Sequence, residues 1–456
     1  MMLMCRVAGN ATKMAQRSSW LPIQGVELAP LPDMTPLRDN QAMPDARRAP
    51  GWSGAASRPP FVGKVALVSD SLSAYGGAER VIEQILQVFP QADIFTVMDA
   101  LPPGDRGFLG GRELATSFLN RLPGGRRFYR QLLSLWPLAV EQFDVTAYDL
   151  VISSHHSVAY GVLTHPDQVH VAYVHSPMRY AWDLQHEYLR EAGLDRGIKG
   201  WIARRMLHSA RLWDFCAAQR PDAMAANSAF VAARLRRLHG RDSTCIHPPV
   251  AVECFPPPVP TADREPFYLS VGRLVPYKRT ELVMRAFARL DRPLKVVGTG
   301  PDLARLRGIC PPNVELLGSL PTPEVHRLMA TAQAYVFAGV EDFGITAVEA
   351  QAAGTPILAY GRGGLAETVR DISQPNPTGL FFHEQSEEAI IDAVQRFERP
   401  ETRALLTPAN CVANATAFSS ARFRDEFADW IDTIMADLHR ARPTRASAGV
   451  RQRSFA

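Results

Sequence analysis

One stretch in the second half most constrains how this chain can fold, because it reads as strand, loop, helix and strand without a break. Residues 334–338 and 356–360 are short apolar runs typical of buried strands, and an apolar helix follows a Phe-Gly turn between them. A unit of this kind joins parallel strands, and open parallel sheets bind ligands where their strands end. Glu341 and Glu349 lie at that end, so the stretch predicts a ligand site there.

The same rhythm occurs twice, which predicts an α/β chain with two doubly wound, Rossmann-like domains that face a cleft. Residues 64–97 read as strand, glycine turn, helix and strand, and a proline-dense stretch at 247–260 is typical of a linker. The predicted parts are a disordered extension at 1–60, a first domain at 61–250, a linker at 251–265, a second domain at 266–420, an amphipathic helix at 421–440 and a basic disordered tail at 441–456.

Composition excludes several classes of function. A net charge of +4 over 456 residues gives no reason to expect a nucleic-acid partner. The six cysteines are scattered without metal-type spacing, so inert thiols in a reducing compartment are expected. The sequence contains no apolar stretch of about 18 residues, so no membrane-spanning helix is predicted. Residues 1–60 lack the apolar core of a secretory signal, and are expected to be a disordered extension or sequence upstream of the true start.

The segment from residue 116 to residue 144 mixes basic and apolar residues. Its arginines, Arg121, Arg126, Arg127 and Arg130, alternate with leucines and aromatic residues. This pattern predicts either an amphipathic core helix with a solvated basic face, or a surface that touches anionic lipid or a lipid-diphosphate acceptor.

In the second domain, cations and backbone donors are expected to meet at the strand ends. Arg273 and Lys278 follow one strand, and a helix begins after Gly344, so that its N–H groups and dipole favour an anion such as a diphosphate. Glu341 is expected before the Phe-Gly turn and Glu349 in the first turn of that helix, and the two acids suit the hydroxyl groups of a sugar and a ribose. Taken singly, the cations are also compatible with surface charge, and the acids with helix capping.

Five motifs in order resemble glycosyltransferase family 4, whose members are retaining nucleotide-sugar enzymes of the GT-B fold. The resemblance spans about residues 62–438. The motifs are Gly76-Gly77-Ala78-Glu79-Arg80, Gly272-Arg273 with Lys278, Gly298-Thr299-Gly300-Pro301, the Glu341 and Glu349 pair around Asp342-Phe343-Gly344-Ile345, and Gly363-Gly364 with Glu367.

The resemblance implies that the first domain, 61–250, binds the acceptor and that the second domain, 266–420, binds the nucleotide-sugar donor. Arg273 and Lys278 are expected to bind the donor diphosphate, Glu341 to hold donor-sugar hydroxyls with His175 near the sugar, and Glu349 to hold the ribose. Further donor contacts are expected from Gly77 and from the backbone of Phe343, Gly344, Ile345 and Thr346. The family's mechanism is thought to be front-face, with the leaving phosphate taking the acceptor proton, so neither glutamate is expected to be a covalent nucleophile. No metal or other cofactor is expected.

A second resemblance narrows the acceptor. His-Ser-Pro-Met-Arg-Tyr-Ala-Trp-Asp at 175–183 is similar to a stretch of bacterial mannosyltransferases that build O-antigen and exopolysaccharide units on polyprenyl diphosphate, commonly from GDP-mannose. It implies α-mannosyl transfer to a lipid-linked oligosaccharide by a peripheral enzyme on the anionic cytoplasmic face of the plasma membrane. The residues expected to bind acceptor are Arg179, Gly76, Arg126 and Arg127.

Two departures from this pattern weaken the acceptor assignment more than the donor assignment. Tyr160 stands where relatives often carry Lys, and Ala347 where many carry Pro. A sugar-nucleotide epimerase of GT-B shape and a non-catalytic nucleotide-sugar-binding subunit are the alternatives.

Overall fold

The first of two parallel sheets follows the strand order β3-β2-β1-β4-β5-β6-β7. The computed structural model describes residues 61–123 and 129–441, and the predicted extension at 1–60 and nearly all of the predicted basic tail lie outside them. The strands of this sheet are β1 Val65–Leu72, β2 Asp93–Asp99, β3 Leu114–Thr116, β4 Leu150–His155, β5 Val169–Val174, β6 Ala223–Ala226 and β7 Thr244–Cys245.

Helices cover this sheet, and the first shows how the sequence builds them. α1 begins beyond Gly76, whose N–H donates to the Glu79 carboxylate (3.1 Å), and it buries Val81, Ile82 and Ile85 on one face. The helices of this part are α1 Gly77–Val88, α2 Phe118–Arg121, α3 Trp136–Glu141, α4 Gln185–Glu191, α5 Gly197–Ala217 and α6 Ala229–His239.

The second sheet repeats the arrangement in the order β10-β9-β8-β11-β12-β13, again with all pairs parallel. Its strands are β8 Tyr268–Val271, β9 Leu294–Val297, β10 Val314–Gly318, β11 Tyr335–Phe337, β12 Ile357–Tyr360 and β13 Gly379–Phe382. The helices are α7 Thr280–Leu290, α8 Leu303–Gly308, α9 Thr322–Thr331, α10 Ile345–Ala352, α11 Leu365–Thr368, α12 Glu387–Phe397, α13 Pro400–Leu405, α14 Pro408–Thr416 and α15 Ser420–Ala441.

In both sheets the strand order reverses between the first and the fourth strand of the domain, β1 and β4 in one and β8 and β11 in the other. A ligand crevice forms at such a reversal, beyond the carboxyl ends of the strands. The prediction of two doubly wound α/β domains is confirmed.

The last helix ties the two domains together. α15 follows the second domain but packs on the first, where Phe423 and Phe427 are buried against Phe89 and Tyr173. A buried phenylalanine of this kind contributes about 1.5–3 kcal/mol. The chain therefore crosses between the domains a second time, in addition to the linker.

The segment 116–144 is not one amphipathic core helix, and that interpretation is wrong. α2 ends at Arg121, because Leu122 precedes Pro123 and takes an extended conformation. A 3₁₀ turn at Tyr129–Leu135 and the short α3 follow, the latter with Pro137 in its first turn. Arg121 is exposed, whereas Arg126, Arg127 and the side chain of Arg130 lie outside the described residues. Among the described residues, no helix combines the length and apolarity that a membrane crossing requires.

Candidate active site

A cavity of about 280 Å³ lies between the two domains, at the edge where their strands end. Both domains line it, and most of the residues predicted for the donor are among the lining. Those from the first domain are Gly77, Ala78, His156, His175, Ser176, Asn227 and Pro248, and those from the second include Lys278, Glu341, Phe343, Gly344, Ile345 and Thr346.

The start of α10 supplies backbone donors to this cavity. Gly344 has φ +90°, and a Cβ there would lie 2.5 Å from Leu365 Cδ1, so only glycine fits the turn. The first intrahelical bond runs from Ala347 N–H to Gly344 O (3.0 Å), so the N–H groups of Ile345 and Thr346 precede it. Together with the positive end of the helix, these groups can hold an anion.

Lys278 and Glu341 form an ion pair at the cavity wall, with 2.9 Å between Nζ and Oε1. Lys278 ends a 3₁₀ turn after β8, and Glu341 follows β11. Their side chains are 17% and 20% exposed, so both can still meet a ligand. From the sequence, Lys278 is predicted to bind the diphosphate and Glu341 the sugar, and in the structure the two side chains are in direct contact.

Arg273 lies elsewhere. Its side chain is exposed, and it lines a neighbouring cavity of about 930 Å³ with Gly298, Thr299 and Gly300. Of the two predicted diphosphate cations, Lys278 therefore lines the first cavity and Arg273 the second. The two cavities approach each other at Gly272, where a Cβ would lie 3.1 Å from Lys278 Nζ.

His175 is the main polar side chain at the end of β5. Its Nε2 lies 2.8 Å from Ser154 Oγ, and the Asn227 side-chain amide donates to its carbonyl oxygen (2.8 Å). Burial, followed by the nearby His156, lowers the pKa of His175 to about 3. The imidazole is therefore neutral at pH 7 and suited to hydrogen bonding with hydroxyl groups.

The first glycine loop touches the donor loop of the other domain. A Cβ on Gly77 would lie 2.6 Å from Ile345 Cδ1, so a larger residue there would require the Ile345 side chain to move. Gly76 precedes α1 and uses its N–H within the first domain, in the bond to Glu79.

Glu349 lies in the second turn of α10, rather than in the first turn as predicted, because the helix begins directly after Gly344. Its carboxylate forms an ion pair with Arg80, which comes from α1 in the opposite domain. Arg80 was not predicted as a site residue, although it stands in the Gly-Gly-Ala-Glu-Arg motif. Glu349 is therefore already engaged across the cleft.

A second set of ion pairs crosses the cleft at Asp342. Arg179 Nη2 lies 3.2 Å from Asp342 Oδ1, and Arg234 Nη1 lies 2.9 Å from the same atom. Arg234 also contacts Asp183 (2.8 Å), and Arg179 lies over the ring of Tyr277 (5.4 Å). Arg179 is thus engaged by the second domain, and its contact with acceptor phosphate stays a prediction. Arg234 belongs to none of the sequence motifs and was not predicted as a site residue.

Asp70, a residue that sequence reasoning did not single out, shapes the loop beyond β4. Its buried carboxylate accepts N–H bonds from His156 (2.6 Å), Ser157 (3.1 Å) and Ala159 (2.8 Å). These bonds hold His156 at the cavity. The signal in the sequence is an acid at the carboxyl end of a buried strand.

Of the two departures from the family pattern, Ala347 lines the cavity and Tyr160 does not. It is fully buried, its ring stacks on His155 (3.4 Å between centroids), and its hydroxyl donates to Asp214. The difference at Tyr160 therefore lies in the core of the first domain.

Glu367 of the Gly-Gly motif joins the domains. Its two oxygens accept from the N–H groups of Ala229 and Phe230 at the start of α6, both at 2.8 Å. His247 Nε2 is 3.4 Å away, and with Cys245 these side chains form the one cluster of metal-ligating type found in the described residues, with ligand atoms within 4.8 Å. None of the three lines the cavity.

Two family models match consecutive parts of the chain. "Glycosyltransferase Family 4" matches residues 75–253, and "Glycosyl transferases group 1" matches residues 255–417. The two matches meet at the boundary between the two sheets, and together they take in every described residue that lines the cavity.

Individual proteins agree with these models. A D-inositol 3-phosphate glycosyltransferase of Nocardia farcinica is 32% identical over 48% of this chain and 54% of its own length. A GDP-mannose-dependent alpha-(1-6)-phosphatidylinositol monomannoside mannosyltransferase of Mycobacterium tuberculosis is 33% identical over 28% of this chain and 37% of its own. The chain thus spans about half the length, or less, of the curated relatives it matches.

The solved structure of Anabaena Alr3699/HepE in complex with UDP-glucose superposes with a TM-score of 0.57 and 17% identity, over 81% of this chain and 100% of that one. At this identity the likeness shows the fold, which is GT-B. With this fold, the two family models and the ordered motifs, the chain belongs to glycosyltransferase family 4.

Proposed function

We propose that the chain is a retaining glycosyltransferase that moves mannose from GDP-mannose, with α linkage, to a polyprenyl-diphosphate-linked oligosaccharide in cell-surface polysaccharide synthesis. One observation carries the proposal. The Lys278–Glu341 pair and the start of α10 share one cavity, and the neutral His175 lines it from the other domain. This combination suits a ligand that joins an anionic diphosphate to a sugar.

The proposed chemistry assigns a separate task to each group. Lys278 and the N–H groups of Ile345 and Thr346 offset the charge that develops on the leaving diphosphate. Glu341 orients the sugar through its hydroxyl groups, and His175 contacts the sugar from the other side. The positive charge comes from the chain itself, so transfer is proposed to need no metal and to persist in EDTA.

Two relatives support a nucleotide-sugar donor. The mycobacterial mannosyltransferase is named for GDP-mannose, and the Anabaena protein holds UDP-glucose. Because they differ in base and sugar, the choice of GDP-mannose for this chain depends on the resemblance of residues 175–183 to mannosyltransferases. The same resemblance supports a lipid-linked acceptor and a location at the cytoplasmic face of the membrane.

A donor panel tests the proposal. Purified protein is titrated with GDP-mannose, UDP-glucose, ADP-glucose and dTDP-glucose, and the shift in melting temperature is recorded. The donor that binds is then incubated with a lipid extract, and transfer of labelled sugar is measured with Glu341→Gln and, as a matched control, Glu315→Gln, whose side chain is exposed on β10.

GDP-mannose is expected to give the largest shift in melting temperature. Of the two variants, only Glu341→Gln is expected to lower the rate of transfer, by about 10²–10³-fold. Release of an epimer without acceptor would show an epimerase instead. Binding of nucleotide sugar without turnover on any lipid fraction would show a non-catalytic subunit.

A further inference from the structure

The long helix α5 of the first domain carries an apolar face that no described residue covers. Large apolar side chains recur along its outer side, and three of them are more than half exposed: Ile198 (80%), Trp201 (67%) and Leu212 (58%). Ile202, Met206 and Phe215 are exposed as well. Soluble proteins seldom leave six large apolar residues of one helix in water, so this face is expected to meet an apolar partner.

The inner side of α5 explains why the helix faces this way. Small residues and one acid are buried there: Gly200, Ala217 and Asp214. Asp214 accepts bonds from Trp182 Nε1 (2.7 Å) and pairs with His239 Nε2 (2.8 Å), and the Tyr160 hydroxyl also donates to it. The polar contacts of Asp214 therefore fix α5 to the domain with its large apolar residues facing outward. In an ordinary amphipathic helix these residues would face the core.

The charges on α5 point to one kind of partner. Lys199, Arg204, Arg205 and Arg211 lie between the apolar residues, and Lys199, Arg204 and Arg205 are exposed. Asp214 is the one acid in the sequence of the helix, and it is buried. A basic and apolar helix with an exposed tryptophan matches a helix that lies flat in the headgroup region of an anionic bilayer.

From this face we infer that α5 is the surface by which the protein binds an anionic lipid bilayer, with the helix, about 30 Å long, parallel to the membrane plane. The segment 116–144, for which the sequence pattern predicts lipid contact, includes α3, and α3 lies beside α5. Leu207 and Trp213 of α5 pack on the same apolar cluster as Trp136 and Ala139 of α3. The inference does not rest on the proposed donor or acceptor.

Vesicle sedimentation tests the inference on the full chain. The protein is mixed with vesicles of phosphatidylcholine alone or with 30% phosphatidylglycerol (about one lipid in three), at low and high salt. The test variants are Ile198→Ser with Trp201→Ser, and Lys199→Gln with Arg205→Gln. The control is Ile309→Ser with Leu405→Ser, because these are also large apolar residues with exposed side chains (46% and 53%), but they lie in the second domain.

Wild type and the control are expected to bind the anionic vesicles and to be released by salt. The apolar double variant is expected to bind at least tenfold more weakly, and the charge variant to lose most of the preference for anionic lipid. Equal binding by the apolar variant and wild type would overturn the inference. So would a wild-type dimer in solution that the apolar variant abolishes, because the face would then be covered by a second copy.

A fluorescence measurement separates insertion from simple attraction. Brominated lipid should quench part of the tryptophan fluorescence of wild type, and Trp201→Phe should keep vesicle binding but lose that quenching. Full quenching in Trp201→Phe would contradict a position of α5 in the headgroup region. Because no sugar donor is present in these experiments, failure of transfer and failure of membrane binding are observed independently.

Discussion

The two walls of the cleft are built in different ways. On the second-domain wall, Glu341 and the donors of the α10 start come from six consecutive residues, and Lys278 reaches them from the neighbouring strand end. On the first-domain wall, His156, His175 and Asn227 follow three different strands, β4, β5 and β6. One wall is a local motif, and the other exists only once the sheet has formed.

The walls also differ in charge where they meet. The first domain contributes arginines, and the second contributes carboxylates: Arg80 pairs with Glu349, and Arg179 and Arg234 pair with Asp342. Ion pairs of this kind tie the arrangement of the domains to the donor loop. A change in the carboxylates should therefore affect either the chemistry or the contact between domains, depending on which acid is changed.

The largest effect is expected at the local wall. Glu341→Gln and Lys278→Met should each lower the rate of transfer at saturating donor about 10²–10³-fold, because each removes a charge held beside the reacting sugar and diphosphate. Donor affinity should change less. Steady-state kinetics with the preferred donor measure both, and Glu315→Gln serves as the control. A rate of transfer that is unchanged in both variants would show that Glu341 and Lys278 are not part of the active site.

Asp342→Asn should mainly weaken the contact between the walls. It leaves the largely buried Arg179 without its paired carboxylate and Arg234 with Asp183 alone, which costs about 3 kcal/mol of unfolding free energy. Chemical denaturation measures this loss. Asp392→Asn is the control, because Asp392 pairs with Arg396 in solvent and such pairs contribute little. Equal stability of the two variants would show that the Asp342 network does not hold the domains.

Glu349→Gln is expected to raise the donor KM about tenfold and to change kcat little, since a charged hydrogen bond to the ribose is lost without a change at the sugar. Arg80 should be released at the same time, so Arg80→Gln should not add to the effect. Glu281→Gln, whose carboxylate pairs with Arg285 and Arg305 away from the cavity, is the control. A fall in kcat larger than the rise in KM would place Glu349 in the chemistry.

The smallest effect concerns pH and two buried histidines of the first domain, His170 and His175. Burial lowers the pKa of His170 to about 3, with Arg220 and Arg241 as further causes, and that of His175 to about 3 as well. Below pH 6.5 these histidines bind protons in the unfolded chain but stay neutral in the folded chain. The free energy of unfolding is therefore highest above pH 6.5 and falls as the pH is lowered toward 3. Each histidine should contribute about 1 kcal/mol per pH unit.

Denaturation curves between pH 7 and pH 4.5 measure this slope. His170→Gln should make it shallower, whereas His165→Gln, at an exposed position, should not. An unchanged slope in His170→Gln would mean that His170 is already protonated in the fold.

The fold class and the second-domain wall of the cleft could be predicted from the sequence because the patterns that indicate them are local. Apolar runs separated by glycine turns mark parallel strands, and the Glu341–Gly344 loop is continuous in the chain. The segment 116–144 misled for the same reason, because its periodicity looked helical while Pro123 and Pro137 interrupt it.

The residues that were missed act over long distances. Arg80 meets Glu349 across 269 positions, and Arg234 meets Asp342 across 108. Nothing near Arg234 in the sequence marks it as anything but a surface arginine of a helix. The outward face of α5 is also visible only in the fold, because its orientation is set by the burial of Asp214.

The most direct test is a crystal structure of the protein with the nucleotide sugar that binds in the donor panel. The proposed function predicts the sugar between Glu341 and His175, and the diphosphate at Lys278 and the N–H groups of Ile345 and Thr346. A donor bound in another part of the cleft, with the Lys278–Glu341 pair unchanged and no sugar beside it, would contradict that prediction.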